Sequence, residues 1–180
     1  AKGIPSVVSS TYGSIKTCLL FDPGSQWGYG VNIDWVGKVV EAVRGKRLGE
    51  VMQERVLAPL GMSDTGFVMT PSMQARRAVI HDRAMDGKLT PLPDLVLPQP
   101  PEMDMGGHGL YSTVADYMKF IRMILNDGAG QNGRVLKPET VEQMSRNGLG
   151  ALKSGGWITS IPSLSNAGEF FPGLAKSWAY

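Results

Sequence analysis

Pro23-Gly24-Ser25-Gln26-Trp27-Gly28-Tyr29-Gly30-Val31-Asn32-Ile33-Asp34-Trp35 is a glycine-spaced stretch that delivers one tyrosine to the mouth of a strongly patterned helix. From Asn32 onward, Asp34, Lys38 and Glu41 fall on one narrow polar stripe, while Ile33, Trp35, Val36, Val39, Val40 and Val43 cover the rest. Asn32 suits an N-cap and Gly45 a helix stop. A helix apolar over most of its circumference is expected in a core. The stretch also stands out for what does not accompany it. No serine in the chain is followed three positions later by lysine, the motif that would supply a nucleophile to work beside such a tyrosine.

Outward from this helix, Leu48, Val51, Met52 and Val56 begin a second one that runs into Pro59 and Gly61, so the two read as a helical hairpin. Asp86-Gly87, flanked by segments 78–83 and 88–92, predicts a tight β-hairpin. Five prolines between Pro91 and Pro101 forbid regular helix or central strand and predict an extended loop, a wall or a lid. A third helix follows Ser112-Thr113, with Val114, Tyr117, Met118, Ile121, Ile124 and Leu125 at helical spacing; Ser112 or Thr113 caps it and Asp116 sits near its positive end. Segment 126–133 reads as a loop, and Lys137-Pro138-Glu139 opens a fourth helix. Beyond Arg146 the glycine- and serine-rich text shows little periodicity, and no internal repeat is apparent.

Composition bounds the function classes. With 180 residues, 42% hydrophobic and 19% charged, the chain is long and apolar enough for one folded domain, read as a single segment over 1–180. Its net charge of +2 is spread over isolated Lys and Arg, which gives no stripe for nucleic acid or an anionic membrane, and no apolar run has the length of a span. One cysteine, Cys18, and two histidines form no metal cluster, so neither a disulfide, a metal nor a cofactor is expected. Neither end carries an initiator methionine, a secretory layout or a polar tail, so the text reads as the interior of a longer sequence. The compartment stays open, with the cytoplasm favoured.

Four blocks, in this order, resemble the serine β-lactamase-like hydrolases: class C β-lactamases, D-alanyl-D-alanine peptidases and family VIII carboxylesterases. They are Phe21-Asp22-Pro23-Gly24 leading to Trp27-Gly28-Tyr29-Gly30, then Pro59-Leu60-Gly61-Met62-Ser63-Asp64-Thr65, then Gly106-Gly107-His108-Gly109-Leu110-Tyr111-Ser112-Thr113, then Leu136-Lys137-Pro138-Glu139-Thr140. The resemblance implies an α+β, β-lactamase/transpeptidase-like fold, of which this chain is mainly the helical domain with a small β-hairpin and little of the main sheet. The family's Ser-x-x-Lys motif is then expected upstream of Ala1 and its Lys-Thr-Gly-type strand beyond Tyr180. Apolar surface is expected where those segments pack, and with it a homo-oligomer or a complementing chain.

In the family a serine attacks an ester or amide carbonyl while lysine and tyrosine share the proton and backbone amides hold the oxyanion. Tyr29 matches that tyrosine, which implies the base role in an acyl-enzyme mechanism on a small ester or amide. The β-lactamase version places asparagine two positions after the tyrosine. Here that position is Val31 and Asn32 comes one step later, which tilts the expectation from lactams towards esterase chemistry. Two further readings stay open: a noncatalytic relative that binds acyl ligands, and one half of a split enzyme. His108 reads either as a substrate-facing group or as a loop histidine satisfied by backbone; His81, inside a strand, reads as structural. The glycines 106–109 lack the preceding strand of a phosphate cradle, Cys18 has no base beside it in sequence, and methionines such as Met52, Met118 and Met123 read as core filler.

Overall fold

The computed structural model describes residues 3–152 and Ser163; the glycine- and serine-rich end lies otherwise outside the described residues. Two short 3-10 turns, Val7–Ser9 and Tyr12–Ile15, precede helix α1, Asn32–Arg44. Next come α2, Leu48–Met52, a π-helical turn Gln53–Leu57, and α3, Ala58–Leu60, which run as one bent rod and end at Gly61. After α4, Pro71–Ala75, strands β1, Ile80–Arg83, and β2, Leu89–Leu92, pair antiparallel. Helix α5, Val114–Leu125, is followed by a two-residue hairpin of β3, Ala129–Gly130, and β4, Gly133–Arg134, and by α6, Pro138–Met144. The architecture is α+β and mostly helical among the described residues. It has two small hairpins rather than one, because the segment expected as a loop over 126–133 closes its own short ladder.

The first hairpin forms where Asp86-Gly87 places it, with Ile80 opposite Leu92 and Arg83 opposite Leu89. Only Gly87 takes a positive φ, +84°, and Asp86 accepts from the Lys88 N–H at 2.9 Å. Five residues, 84–88, thus join the strands instead of two, with the Gly87 N–H donating to Ala84 O and the Ala84 N–H to Lys88 O. Pro91 stands in β2 opposite His81, tolerated because a two-stranded ladder leaves an open edge. The rest of the proline-rich stretch is extended, tied down by Gln99. Its carboxamide accepts from Met69 N–H at 2.9 Å and donates to Phe67 O at 3.1 Å, doing the work of a neighbouring strand.

Two apolar clusters hold the chain. Leu57, Leu60, Met62 and Met123 are buried together beneath Phe120, Ile124, Val135 and Leu136, and Ile15, Met103 and Met105 form a second cluster with Val31. Two helices differ from their sequence reading, in three respects. Asn32 is the first residue of α1 rather than its cap; Val31 holds that place, its carbonyl accepting from the Asp34 and Trp35 N–H groups. Helix α1 is not a core helix, since Ile33, Val36, Val39 and Val43 are exposed while Asp34 is buried and Lys38 and Glu41 are half-buried. In α5 the Val114, Tyr117, Met118 and Leu125 stripe is likewise outward, and Met123, Phe120 and Ile124 take the core side. Met118 is therefore no filler, unlike Met123 and the half-buried Met52.

Candidate active site

The turn that carries Tyr29 is built locally. Ser25 donates its N–H and its hydroxyl to Asp22 O, at 3.1 and 2.7 Å, closing the Asp22-Pro23-Gly24-Ser25 turn. The chain then folds back so that a Cβ at Gly28 would lie 2.9 Å from the Phe21 ring, which would have to move to admit it. Downstream, the Trp35 indole N–H donates to Ile15 O at 3.2 Å and pins the start of α1 to the turn at Tyr12–Ile15. Tyr29 emerges between these anchors with its side chain 75% exposed. It is not sealed in an apolar interior.

The polar stripe of α1 faces inward because each of its members has a partner there. Glu41 accepts from the Leu48 N–H at 2.9 Å and so satisfies an amide that α2 leaves open at its first turn. Lys38 pairs with Glu41 and lies 4.6 Å over the Tyr12 ring. Asp34, 3% exposed, accepts from the Gly107 N–H at 2.9 Å. The glycine-rich loop can reach it because a Cβ at Gly106 would stand 2.2 Å from Ile33 O. The loop over 106–109 therefore lies directly across the helix turn that follows Tyr29.

The other end of that loop is tied to the second block. Gly66 and Tyr111 exchange both N–H···O bonds, at 3.0 and 2.9 Å. Thr65 Oγ1 meets Ser112 Oγ at 2.8 Å, and the buried Asp116 carboxylate accepts from Asp64 N–H at 2.8 Å and Thr65 Oγ1 at 3.0 Å. The fourth block joins through Leu136, whose N–H donates to Gly128 O and whose side chain packs on the cluster of Leu60 and Met123. The second block thus joins both the third, through Thr65 and Ser112, and the fourth, through Leu60 and Leu136.

His108 sits in that loop beside a cavity of about 230 Å³ lined by Leu48, Met52, Phe67, Met105 and Leu110. Its Nε2 is buried and makes no hydrogen bond among the described residues, so backbone groups do not satisfy it as the loop reading expected. The structure brings the loop of His108 and the turn of Tyr29 onto the same end of α1. His81 is exposed in β1 with Nδ1 3.0 Å from Val79 O, and Cys18 is exposed. Among the described residues no group of His, Cys, Asp and Glu is arranged to hold a metal, and no helix is long and apolar enough to cross a membrane.

Sequence reasoning missed Asp34 and Asp104 as organisers of the site. Asp104 precedes the loop by two residues, pairs with Arg47 at 2.6 Å and accepts from the Gly49 N–H at 2.9 Å. Burial pushes the Asp104 carboxyl up, but Arg47, the Gly49 amide and the charge of Lys38 together hold it below the usual aspartate value. At Asp116 burial is likewise the largest single effect, outweighed by Lys119 at 2.8 Å, the Asp64 amide and the Thr65 hydroxyl, and the net direction is again downward. A helix-start Asp five residues from the tyrosine, followed in sequence by a distant double glycine, was the available sign for Asp34.

Tyr29 thus stands at the mouth of α1, whose first turn is crossed by the Gly-rich loop. The sequence model of the Beta-lactamase family matches residues 16–164, and the chain belongs to that family. It is 37% identical over 131 residues to monacolin J acid methylbutanoyltransferase of Aspergillus terreus, which covers 71% of this chain and 31% of that protein. Lovastatin esterase of Penicillium rubens is 36% identical over 138 residues, covering 73% and 33%. Among solved structures, a mutant of simvastatin synthase from Aspergillus terreus superposes with a TM-score of 0.67 at 38% identity, over 74% of this chain and 32% of that one. A putative β-lactamase from Bacteroides dorei gives 0.53 at 28% identity, over 76% and 34%. The chain spans about a third of the length of the curated relatives it matches.

Proposed function

We propose that this chain is the tyrosine-bearing part of a serine acyl hydrolase or acyltransferase that acts on small esters or amides through an acyl-enzyme. The exposure of Tyr29 at the mouth of α1 is the observation that carries this reading, because a general base must reach the proton it takes. The serine and lysine are supplied from outside these 180 residues, none of whose serines has lysine three positions on. The lysine that accompanies the serine shares the transferred proton with the Tyr29 oxygen. The serine hydroxyl gives its proton to the Tyr29 oxygen as its Oγ bonds to the carbonyl carbon. The tetrahedral intermediate then collapses, the leaving alkoxide or amine takes that proton, and the acyl group stays on serine. Water or an acceptor alcohol, deprotonated by the same phenolate, completes hydrolysis or transfer.

That one intermediate serves both outcomes accords with the relatives, one named a methylbutanoyltransferase and another an esterase. In a protein that also holds the Ser-x-x-Lys stretch, Tyr29→Phe lowers p-nitrophenyl butyrate turnover by roughly 10²–10⁴-fold with the fold intact; unchanged turnover removes Tyr29 from the mechanism. The 180-residue chain alone is expected to show no turnover. Robust turnover that a serine-directed phosphonate abolishes would place the nucleophile inside this chain. A complementing polypeptide is the second reading, favoured by the outward apolar face of α1, and predicts that activity returns when the two chains are mixed.

A further inference from the structure

We infer that Asp34 is a positioning residue which, given the role proposed above for Tyr29, locks the loop over 106–109 to the helix turn that carries the tyrosine and so sets the register between substrate and phenol. Three buried acids stand near the site, and they are not alike. Asp104 and Asp116 each face a cation, Arg47 at 2.6 Å and Lys119 at 2.8 Å. Asp34, equally buried, enters no ion pair among the described residues and spends its Oδ1 on one backbone amide, that of Gly107. A buried carboxyl whose partner is a single loop N–H is a costly way to fasten two segments. An apolar contact would hold them together, but it would leave the loop free to slide along the helix. A directional bond from a group in the first turn of α1 does not.

The steric fit points the same way. A Cβ at Gly106 would meet Ile33 O at 2.2 Å, and one at Gly107 would meet Ile33 Cγ2 at 2.9 Å and both Asp34 oxygens at 3.2 and 3.3 Å. Loop and helix therefore meet backbone to backbone at Gly106, and at Gly107 the loop lies directly against the Ile33 and Asp34 side chains, which leaves little room for a shift. Tyr29 lies just upstream of that register point, bound to it through Val31, whose carbonyl accepts from Asp34 N–H at 3.2 Å and Trp35 N–H at 3.3 Å. On the loop side the next residue is His108, beside its apolar cavity. A displacement of about 1 Å between such parts is enough to cost roughly 10²-fold in rate.

The test uses Asp34→Ala, Asp34→Asn and Gly107→Ala in the protein that holds both this chain and the Ser-x-x-Lys stretch, with Tyr29→Phe alongside. Asp34→Ala is expected to lower kcat on p-nitrophenyl butyrate by about 10–100-fold with KM changed less than threefold, and to speed hydrogen exchange at the Gly107 amide. Asp34→Asn keeps an acceptor oxygen and is expected to recover most of the kcat and the Gly107 protection. Gly107→Ala leaves the Asp34 side chain itself unsubstituted but crowds Ile33 and the Asp34 carboxylate and so prises the loop off the helix; it is expected to reproduce the kcat loss, which keeps the inference open to refutation if Asp34→Ala fails to fold. A folded Asp34→Ala or Gly107→Ala enzyme with wild-type kcat overturns it, as does a loss carried wholly by KM. Unchanged turnover in Tyr29→Phe would instead refute the base role, whereas loss in Tyr29→Phe beside full activity in Asp34→Ala refutes the positioning role alone.

Discussion

Helix α1 and the rod of α2 and α3 are neighbours made of similar residues, yet they are turned in opposite senses. The rod hides Leu48, Val51, Leu57 and Leu60 and shows its charges to solvent, whereas α1 hides Asp34 and turns Val36, Val39 and Val43 outward. The difference lies in what each face meets. Along α1 the inward line holds Gly37, where a Cβ would stand 3.0 Å from Leu48 and 3.5 Å from Gly106, so the backbones approach too closely for a valine to intervene. Asp34, Lys38 and Glu41 follow that line inward because Gly107 N–H, the Tyr12 ring and Leu48 N–H await them. Close backbone contact and directed hydrogen bonds, rather than the number of apolar side chains, choose the buried face of this helix.

The largest expected effect probes the rod. Leu60 is 2% exposed within the cluster of Leu57, Met62 and Met123, and Leu60→Ala is expected to destabilise the chain by about 2–5 kcal/mol in denaturant unfolding. A cost below 1 kcal/mol would mean that this cluster does not hold the fold, and the contrast with α1 would collapse. Next comes Asp116, which ties the second and third family blocks. Asp116→Ala leaves the half-buried Asp64 N–H without its acceptor and removes a partner of the buried Thr65 hydroxyl, and is expected to cost about 1–3 kcal/mol. Because the Asp104 and Asp116 carboxyls are both held below their ordinary 3.8 in the folded chain, the unfolded chain binds protons first as pH falls. Their contribution is full above about pH 4–5 and is lost progressively as pH drops through 3.8 and below; an acid unfolding profile unchanged by Asp116→Ala would contradict this. Thr113→Ala removes an oxygen that accepts from Asp116 N–H at 3.2 Å and is expected to cost about 1 kcal/mol, read by thermal unfolding.

Most element types were legible in the sequence, but α4 and the second hairpin were not, and neither was the orientation of two helices. Gly45, Gly61, Asp86-Gly87, Thr113 and Pro138 each mark a boundary by local chemistry, and the chain obeys them. Periodicity correctly found the helices α1 and α5, but it reports only that one side differs from the other. Which side faces in depends on partners 65–75 residues away, such as Gly106 and Gly107 for Ile33 and Asp34, and those are set by the tertiary fold. The same holds for the site. The turn and helix mouth that present Tyr29 were legible because they are local, while Asp34 looked like one more polar stripe residue until its loop arrived.

The smallest effect on stability is expected where the sequence promised the most, on the outward valines of α1. Val43 is 76% exposed, so Val39→Ser with Val43→Ser removes little buried area and is expected to shift the unfolding free energy of this chain by less than about 0.5 kcal/mol. Association is the sensitive readout for the same pair. Val36, Val39 and Val43 continue with Ile33 along one exposed helix face, and a contiguous apolar patch of this kind draws a second copy or a complementing segment. Light scattering on the 180-residue chain is expected to show self-association that weakens in the double variant. A monomer at high concentration would count against that surface as an interface, and a double variant that loses as much stability as Leu60→Ala would show that α1 is buried after all. Either outcome leaves the inward contacts of Asp34 and Glu41 in place, so the two helices can be separated experimentally: the rod is read by what it costs to empty, and α1 by what it attracts.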